Sequence, residues 1–99
     1  MSFHVSVVDG VDLLVTITGA IDATKREMET LVRLGDTGLR LIVDLSGVSF
    51  VDLPGLQTLG RARDATIDSG GSFIVRSPSA GVIRALSVAP VDLRLAIED

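Results

Sequence analysis

The chain of 99 residues contains no cysteine, no tryptophan and no tyrosine, and only three phenylalanines. Without cysteine it has no disulfide, no thiol nucleophile and no thiolate metal ligand, which fits a reducing compartment. No apolar run approaches the roughly 20 residues that cross a bilayer, and no basic segment followed by an apolar stretch opens the chain. We therefore expect a cytoplasmic protein that does not insert into a membrane.

Basic residues are also scarce. Thirteen Asp and Glu against nine Lys and Arg give a formal net charge of -4, which argues against nucleic acid as a partner. Neither a Gly-x-Gly-x-x-Gly loop nor a Walker-type lysine is present, so the usual phosphate loops are missing. His4, the only histidine, has no second candidate ligand near it in sequence and is interpreted as a surface residue. These absences predict a protein that is not an enzyme and needs no cofactor or metal.

The residues that are present indicate one α/β domain. Hydrophobic residues make up 46% of the chain, and with so few aromatics the core must be built from Leu, Val and Ile. That composition is typical of parallel strands covered by helices on their faces. The length is that of one small domain with one core, so residues 1–99 are expected to form a single unit.

Apolar periodicity and turn residues predict the element order β-β-α-β-α-β-α-β, a single small mixed sheet packed with helices. Asp9-Gly10 is a tight-turn signal, Thr24 and Glu27 form a capping box, and Ser77-Pro78 is read as the start of the third helix. On the second helix we expect an inner side of Leu56, Leu59, Ala62 and Ile67. Strands are predicted at 3–8, 13–18, 40–45, 72–76 and 91–97, and helices at 24–34, 52–69 and 78–88.

The most informative segment runs from Leu41 to Leu56 and reads LIVDLSGVSFVDLPGL, a buried strand leading through a loop into a helix start. It resembles the strand-loop-helix signature of the STAS domain, the fold of bacterial anti-sigma factor antagonists, in which an apolar strand ending Asp-Leu-Ser is followed by Asp-Ser-Ser-Gly-Leu. The segment 19–22 is similar to the family's Gly-x-x-Asp, and Ser77-Pro78 to a common family turn. The element order resembles the STAS order over essentially the whole chain.

The resemblance implies a binding module that docks on an anti-sigma factor with a histidine-kinase-like ATPase fold and thereby frees a sigma factor. The implied contact residues are Asp22, Asp52, Leu53, Pro54, Gly55 and Leu56. In the family, the anti-sigma kinase phosphorylates the second serine of the loop, and Pro54 occupies that position here. The usual phosphate switch is therefore expected to be missing. Ser46 and Ser49 flank the loop and are interpreted as turn residues rather than substitute acceptors.

The residues themselves leave other interpretations open at this loop. Asp22, Asp44 and Asp52 are candidates for a magnesium or phosphoryl site, although helix capping by Asp22 and Asp52 is the favoured interpretation. Pro54 is also a normal first-turn proline, and Leu53 is a candidate core residue.

Two other functions and one mode of assembly also follow from the sequence. The alternatives are a scaffold or transporter-associated subunit, and a small-ligand sensor with a pocket between the opening hairpin and the first helix. Many STAS domains carry a further helix after the final strand, and here the sequence ends at Asp99. We therefore expect the edge formed by residues 93–97 to pair with a second copy as a homodimer.

Overall fold

A computed structural model of the chain describes residues 1–10, 12–22, 26–89 and 97–98. Within these residues, five strands and three helices follow each other in the predicted order, which confirms the fold class. None of the helices in these ranges has the length and apolar character needed to span a membrane. The elements are β1 (Ser2–Val8), β2 (Asp12–Ile21), α1 (Arg26–Gly35), β3 (Arg40–Val51), α2 (Leu53–Asp68), β4 (Phe73–Arg76), α3 (Ala80–Val88) and β5 (Ile97–Glu98).

The strands form one mixed sheet in the order β1-β2-β3-β4-β5, which places β3 at its centre. Strand β1 is antiparallel to β2, and each later pair of neighbours is parallel. The predicted turn between β1 and β2 is confirmed, since Asp9 and Gly10 have φ values of 54° and 72° and Val8 pairs with Asp12. Positive φ at consecutive turn residues suits the right-handed twist of a hairpin.

The helices pack on one face of the sheet. Strand side chains alternate between the two faces, and the core takes the odd-numbered residues of the central strands, such as Val15, Val43 and Val75. The buried apolar side chains of all three helices belong to the same cluster. On the opposite face Ile42 is also buried, because Leu14 and Ile74 flank it in register. Strand β3 is thus covered by helices on one face and by its neighbours' side chains on the other.

Strands β2 and β3 are longer than predicted. The sequence predicts that β3 ends at residue 45, whereas pairing continues to Ile21 opposite Val51. Register shifts after Thr16 and after Gly19 give β3 two extra residues, as β-bulges do. Gly47 fits one of these irregular sites because an added Cβ would lie 2.7 Å from the Cγ2 atom of Thr18. The serines and small residues of 46–51 that suggest a loop therefore belong to an irregular strand.

The start of α3 is displaced from its predicted position. Ser77 is not the N-cap, because it adopts φ 51°, outside the extended backbone typical of a cap. The cap is Ser79, whose Oγ accepts a hydrogen bond from the backbone N–H of Val82 at 3.3 Å. The Ser79 backbone N–H donates to the carbonyl of Leu45 at 3.2 Å and so ties the helix start to β3.

The prediction that Ile67 is a core residue of α2 is also wrong. Ile67 is exposed, and Thr66 is buried in its place. Adjacent helix residues point about 100° apart, so burying Thr66, four residues after Ala62, turns Ile67 outward. The Thr66 hydroxyl donates to the Ala62 carbonyl at 2.7 Å, which satisfies the buried polar group.

Two predictions lie outside the described residues. Thr24 of the capping box is one of them, and helix α1 is described from Arg26. The other is most of the last strand, of which only Ile97 and Glu98 are described, paired with Val75 and Arg76 of β4. Self-association through that strand therefore stays a prediction.

Helix α1 approaches α2 closely because Gly35 has no side chain. A Cβ at Gly35 would lie 2.8 Å from the Thr66 Oγ1 atom and 2.9 Å from the Ala62 carbonyl oxygen. Across the exposed side of the same pair, Arg61 donates to Glu29 at 2.8 Å and 3.2 Å, and this hydrogen bonding lowers the pKa of Glu29 below its ordinary value. Both ion-pair partners are about half exposed, so packing at Gly35 matters more than the ion pair.

We predict that Gly35→Ala destabilises the protein by about 1–3 kcal/mol, because the added methyl group must push α1 away from α2. Urea unfolding monitored by circular dichroism measures the change. The control is Gln57→Ala at an exposed site within α2, which should stay within about 0.5 kcal/mol of the wild type. Equal stability of the Gly35 variant and the wild type would show that the two helices separate at no cost.

Candidate functional site

The candidate site is built around the start of α2. Asp52 is the N-cap, with φ -88° and ψ 172°, and its Oδ1 accepts a hydrogen bond from the Gly55 backbone N–H at 2.7 Å. Pro54 lies in the first turn, where its missing N–H has no intrahelical acceptor. The backbone N–H of Leu56 donates to the Asp52 carbonyl at 3.0 Å and begins the helical hydrogen bonds. The predicted capping role of Asp52 and the first-turn role of Pro54 are confirmed.

The sheet brings Asp22 and Asp52 to the same edge. Each follows the last residue of a strand, and those residues, Ile21 and Val51, are partners in the parallel β2–β3 ladder. The Asp52 backbone N–H also donates to the Ile21 carbonyl at 3.3 Å. Asp44 lies within β3 instead, where its Oδ1 accepts from the Ser46 backbone N–H at 2.9 Å.

The position of Asp44 within β3 argues against a metal site shared by the three aspartates. Asp44 is seven residues before the end of β3 and does not converge with the other two. Among the described residues, no three Asp, Glu or His side chains are grouped so that they could hold a metal ion. The carboxylate of Asp52 is engaged by the helix start, so capping accounts for this residue.

The loop residues divide into an exposed pair and a buried pair. Leu53 is 50% exposed and Pro54 is also exposed, so the interpretation of Leu53 as a core residue is wrong. Gly55 and Leu56 are buried. A Cβ at Gly55 would lie 2.9 Å from the Asp52 Oδ1 atom and 3.1 Å from a methyl group of Ile21. A side chain at residue 55 would disturb both the cap and the packing of the helix start on β2. Gly55 therefore fixes the position of Leu53 and Pro54.

An open groove of about 780 Å³ begins beside Leu53 and runs between the end of β3, the start of α2 and helix α3. It does not coincide with the predicted sensor pocket between the opening hairpin and α1. Its described lining consists mainly of apolar side chains, with Asp52 and Arg84 as the only charged ones. The lining residues are Ser49, Phe50, Val51, Asp52, Leu53, Leu56, Gly81, Arg84, Ala85, Val88 and Ala89.

The walls of the groove expose apolar side chains to solvent. Phe50 is 57% exposed on the β3 side, and Val88 is 82% exposed on the α3 side. Helix α3 approaches β3 closely at Gly81, where a Cβ would lie 3.0 Å from the Ser49 carbonyl oxygen. Contiguous exposed apolar surface of this kind marks interaction sites.

The contribution of α3 and Phe50 to this surface does not follow from the loop motif. The available signal is in α3 itself, whose sequence AGVIRALSV has more apolar residues than one buried face of a short helix can hold. Only Val82 of this helix is fully buried, whereas Ile83 and Val88 are exposed.

The family follows from a comparison with protein-family models, in which the STAS domain matches residues 2–98. The chain belongs to the STAS domain family. No curated protein sequence matches the chain. Among solved structures, the STAS fold of this chain is similar to that of the anti-sigma factor antagonist SpoIIAA in its unphosphorylated form, with a TM-score of 0.70 and 16% identity over 99% of this chain and 88% of that one.

A second solved protein with this fold is TM1081 of Thermotoga maritima. Its NMR structure gives a TM-score of 0.78 at 21% identity, over 100% of this chain and 82% of TM1081. Its crystal structure gives 0.71 at 20% identity, over 98% and 86%. At these identities the structures show a shared fold, so the role of this STAS domain has to be argued from its own site.

We predict that Asp52→Ala costs about 1 kcal/mol of stability, because the Gly55 N–H loses its acceptor at the start of α2. Asp52→Asn keeps a side-chain oxygen at the cap and should recover most of that loss. Thermal and urea unfolding of both variants measure the difference. Equal destabilisation by alanine and asparagine would contradict the capping role and point instead to a need for the negative charge.

Proposed function

We propose that this STAS domain is an anti-sigma factor antagonist, a protein-binding regulator that engages an anti-sigma factor and thereby releases a sigma factor. The observation that carries the proposal is the half-exposed Leu53 beside exposed Pro54 at the start of α2, on a STAS fold. Exposed apolar side chains on a rigid helix start lose water favourably when a partner covers them. Asp22 and Asp52 border this surface, and the buried residues Gly55 and Leu56 pack beneath it.

The chemistry of the surface supports protein binding over catalysis. Its charged members are few, and the Asp52 carboxylate is already bonded to the Gly55 N–H. Leu53 and Pro54 carry no group that transfers a proton or attacks a substrate. The surface instead offers shape and apolar area, which are the usual components of an interface core.

The same residues support a regulator without the usual phosphate switch. By resemblance to the family, Pro54 occupies the position of the phosphorylated serine, and neither Pro54 nor Leu53 has a hydroxyl group. A phosphate there would add about -1.5 to -2 charges to an apolar contact surface. Without an acceptor the protein stays competent to bind, and its abundance sets how much anti-sigma factor is occupied.

The proposal is tested by measuring the affinity for anti-sigma factors of the histidine-kinase-like ATPase fold from the same genome, by calorimetry. We expect Leu53→Asp and Pro54→Asp each to weaken binding about 30-fold or more, since disrupting a buried interface anchor costs about 2 kcal/mol. Both variants should stay folded, because a helix N-terminus tolerates negative charge.

The matched control is Ile67→Asp, which places the same carboxylate on an exposed apolar position farther along α2. It should bind like the wild type. Undiminished affinity of both loop variants would show that this surface is not the interface.

A second prediction concerns phosphorylation. Incubation with ATP and the anti-sigma factors that bind should leave the intact mass of the protein unchanged, because position 54 has no hydroxyl group. The variant Pro54→Ser restores the acceptor and should gain one phosphate under the same conditions. A stoichiometric phosphate on the wild type, mapped to Ser46 or Ser49, would show that the switch has moved rather than disappeared.

A further inference from the structure

Among the described residues that line the groove beside Leu53, the one cation is the guanidinium group of Arg84. This side chain lies on the exposed side of α3 and lines the groove, and no described residue forms an ion pair with it. The other charged lining residue, Asp52, already accepts the Gly55 N–H. The described lining therefore combines apolar walls with one guanidinium fork, which is suited to a carboxylate.

We propose that the groove receives an amphipathic helix of the partner protein, and that Arg84 pairs with an acidic side chain on that helix. The inference rests on the proposed function and specifies what the partner presents to the same surface. Arg84 is the group in the described lining that attracts a carboxylate, so it would fix how an acidic helix lies in the groove, as charge complementarity fixes register at interfaces.

The dimensions of the groove suit a short helical segment. One wall is α3, whose nine residues span about 13 Å. Helices that dock in grooves use apolar anchors at positions i, i+3, i+4 and i+7, which extend over about 10 Å. Leu53 and Val88 are exposed on opposite walls and are available to contact such anchors.

Backbone contacts position the start of α3, which forms one wall of the groove. Gly81 brings the start of α3 against β3, and Ser79 ties that start to Leu45 through its backbone N–H. A preformed groove lowers the entropy cost of docking.

The test uses two synthetic amphipathic peptides of about 14 residues, a length that supports helix formation. Both have leucines at i, i+3, i+4 and i+7, and they differ only by Glu or Gln beside the leucines. Fluorescence anisotropy gives their affinities for the wild type, Arg84→Gln, Arg84→Lys and Arg33→Gln. Arg33 is the control because it carries the same charge on α1, bonded to Thr30 and away from the groove.

We expect the Glu peptide to bind the wild type roughly fivefold tighter than the Gln peptide. Arg84→Gln should remove that preference, Arg84→Lys should retain part of it, and Arg33→Gln should leave it unchanged. Backbone amide shifts should map the bound peptide to residues 49–53 and 81–89. Equal affinity of both peptides for the wild type, no binding of the Glu peptide, or shifts confined to other surfaces would each overturn the inference.

The anti-sigma factor affinities separate this inference from the proposed function. If Leu53→Asp abolishes binding while Arg84→Gln leaves it unchanged, the proposed function stands and the role of Arg84 is wrong. If no anti-sigma factor binds the wild type, the proposed function fails, and the peptide titration still decides whether the groove accepts an acidic helix. Binding of dodecanoate in the groove without binding of either peptide would also overturn the inference and indicate a small-amphiphile site.

Discussion

The parallel pairing of β2 with β3, carried through to Ile21 opposite Val51, is the constraint on which the site depends. It places Asp52 where its side chain caps α2 while its backbone N–H still reaches the Ile21 carbonyl. The close packing of Gly55 on Ile21 then fixes the direction of the first helical turn. The backbone N–H groups of Asp52, Gly55 and Leu56 are hydrogen-bonded within the sheet, the cap and the helix. The side chains of Leu53 and Pro54 remain exposed beside them.

The second wall of the groove depends on β3 in the same way. The bulged extension from Ser46 to Val51 carries Ser49 and Phe50 past the regular part of the sheet. Helix α3 meets this extension at Gly81, and its cap residue Ser79 is tied to Leu45. One strand therefore positions both the loop of α2 and the start of α3, so their separation, and with it the width of the groove, is set by backbone contacts.

Local chemistry explains which parts of this arrangement are readable from sequence. The hairpin turn at Asp9-Gly10, the cap at Asp52 and the order of elements each have signals within a few residues, and the structure confirms them. The length of β3 and the exposure of Leu53 and Ile67 depend on which residues pack against them from distant parts of the chain. A first-turn proline fixes backbone conformation but does not indicate which element lies opposite it. The groove and the position of Arg84 are therefore known only once the position of α3 is known.

Under the proposed function, Pro54 changes how binding at this surface is controlled. A serine at a helix start can accept a phosphate, whose charge would be tolerated by the helix dipole while it repels an apolar or acidic partner. A proline keeps the helix start but has no hydroxyl group, so under the proposed function control acts through protein concentration or through the partner's own state. Partner specificity then depends on features of the surface that modification does not change. Apolar walls give little discrimination between partners, whereas the proposed pairing of Arg84 with a carboxylate favours an acidic helix about fivefold. Under these two proposals, partner choice depends on the shape of the groove and the charge of Arg84, and not on modification of the start of α2.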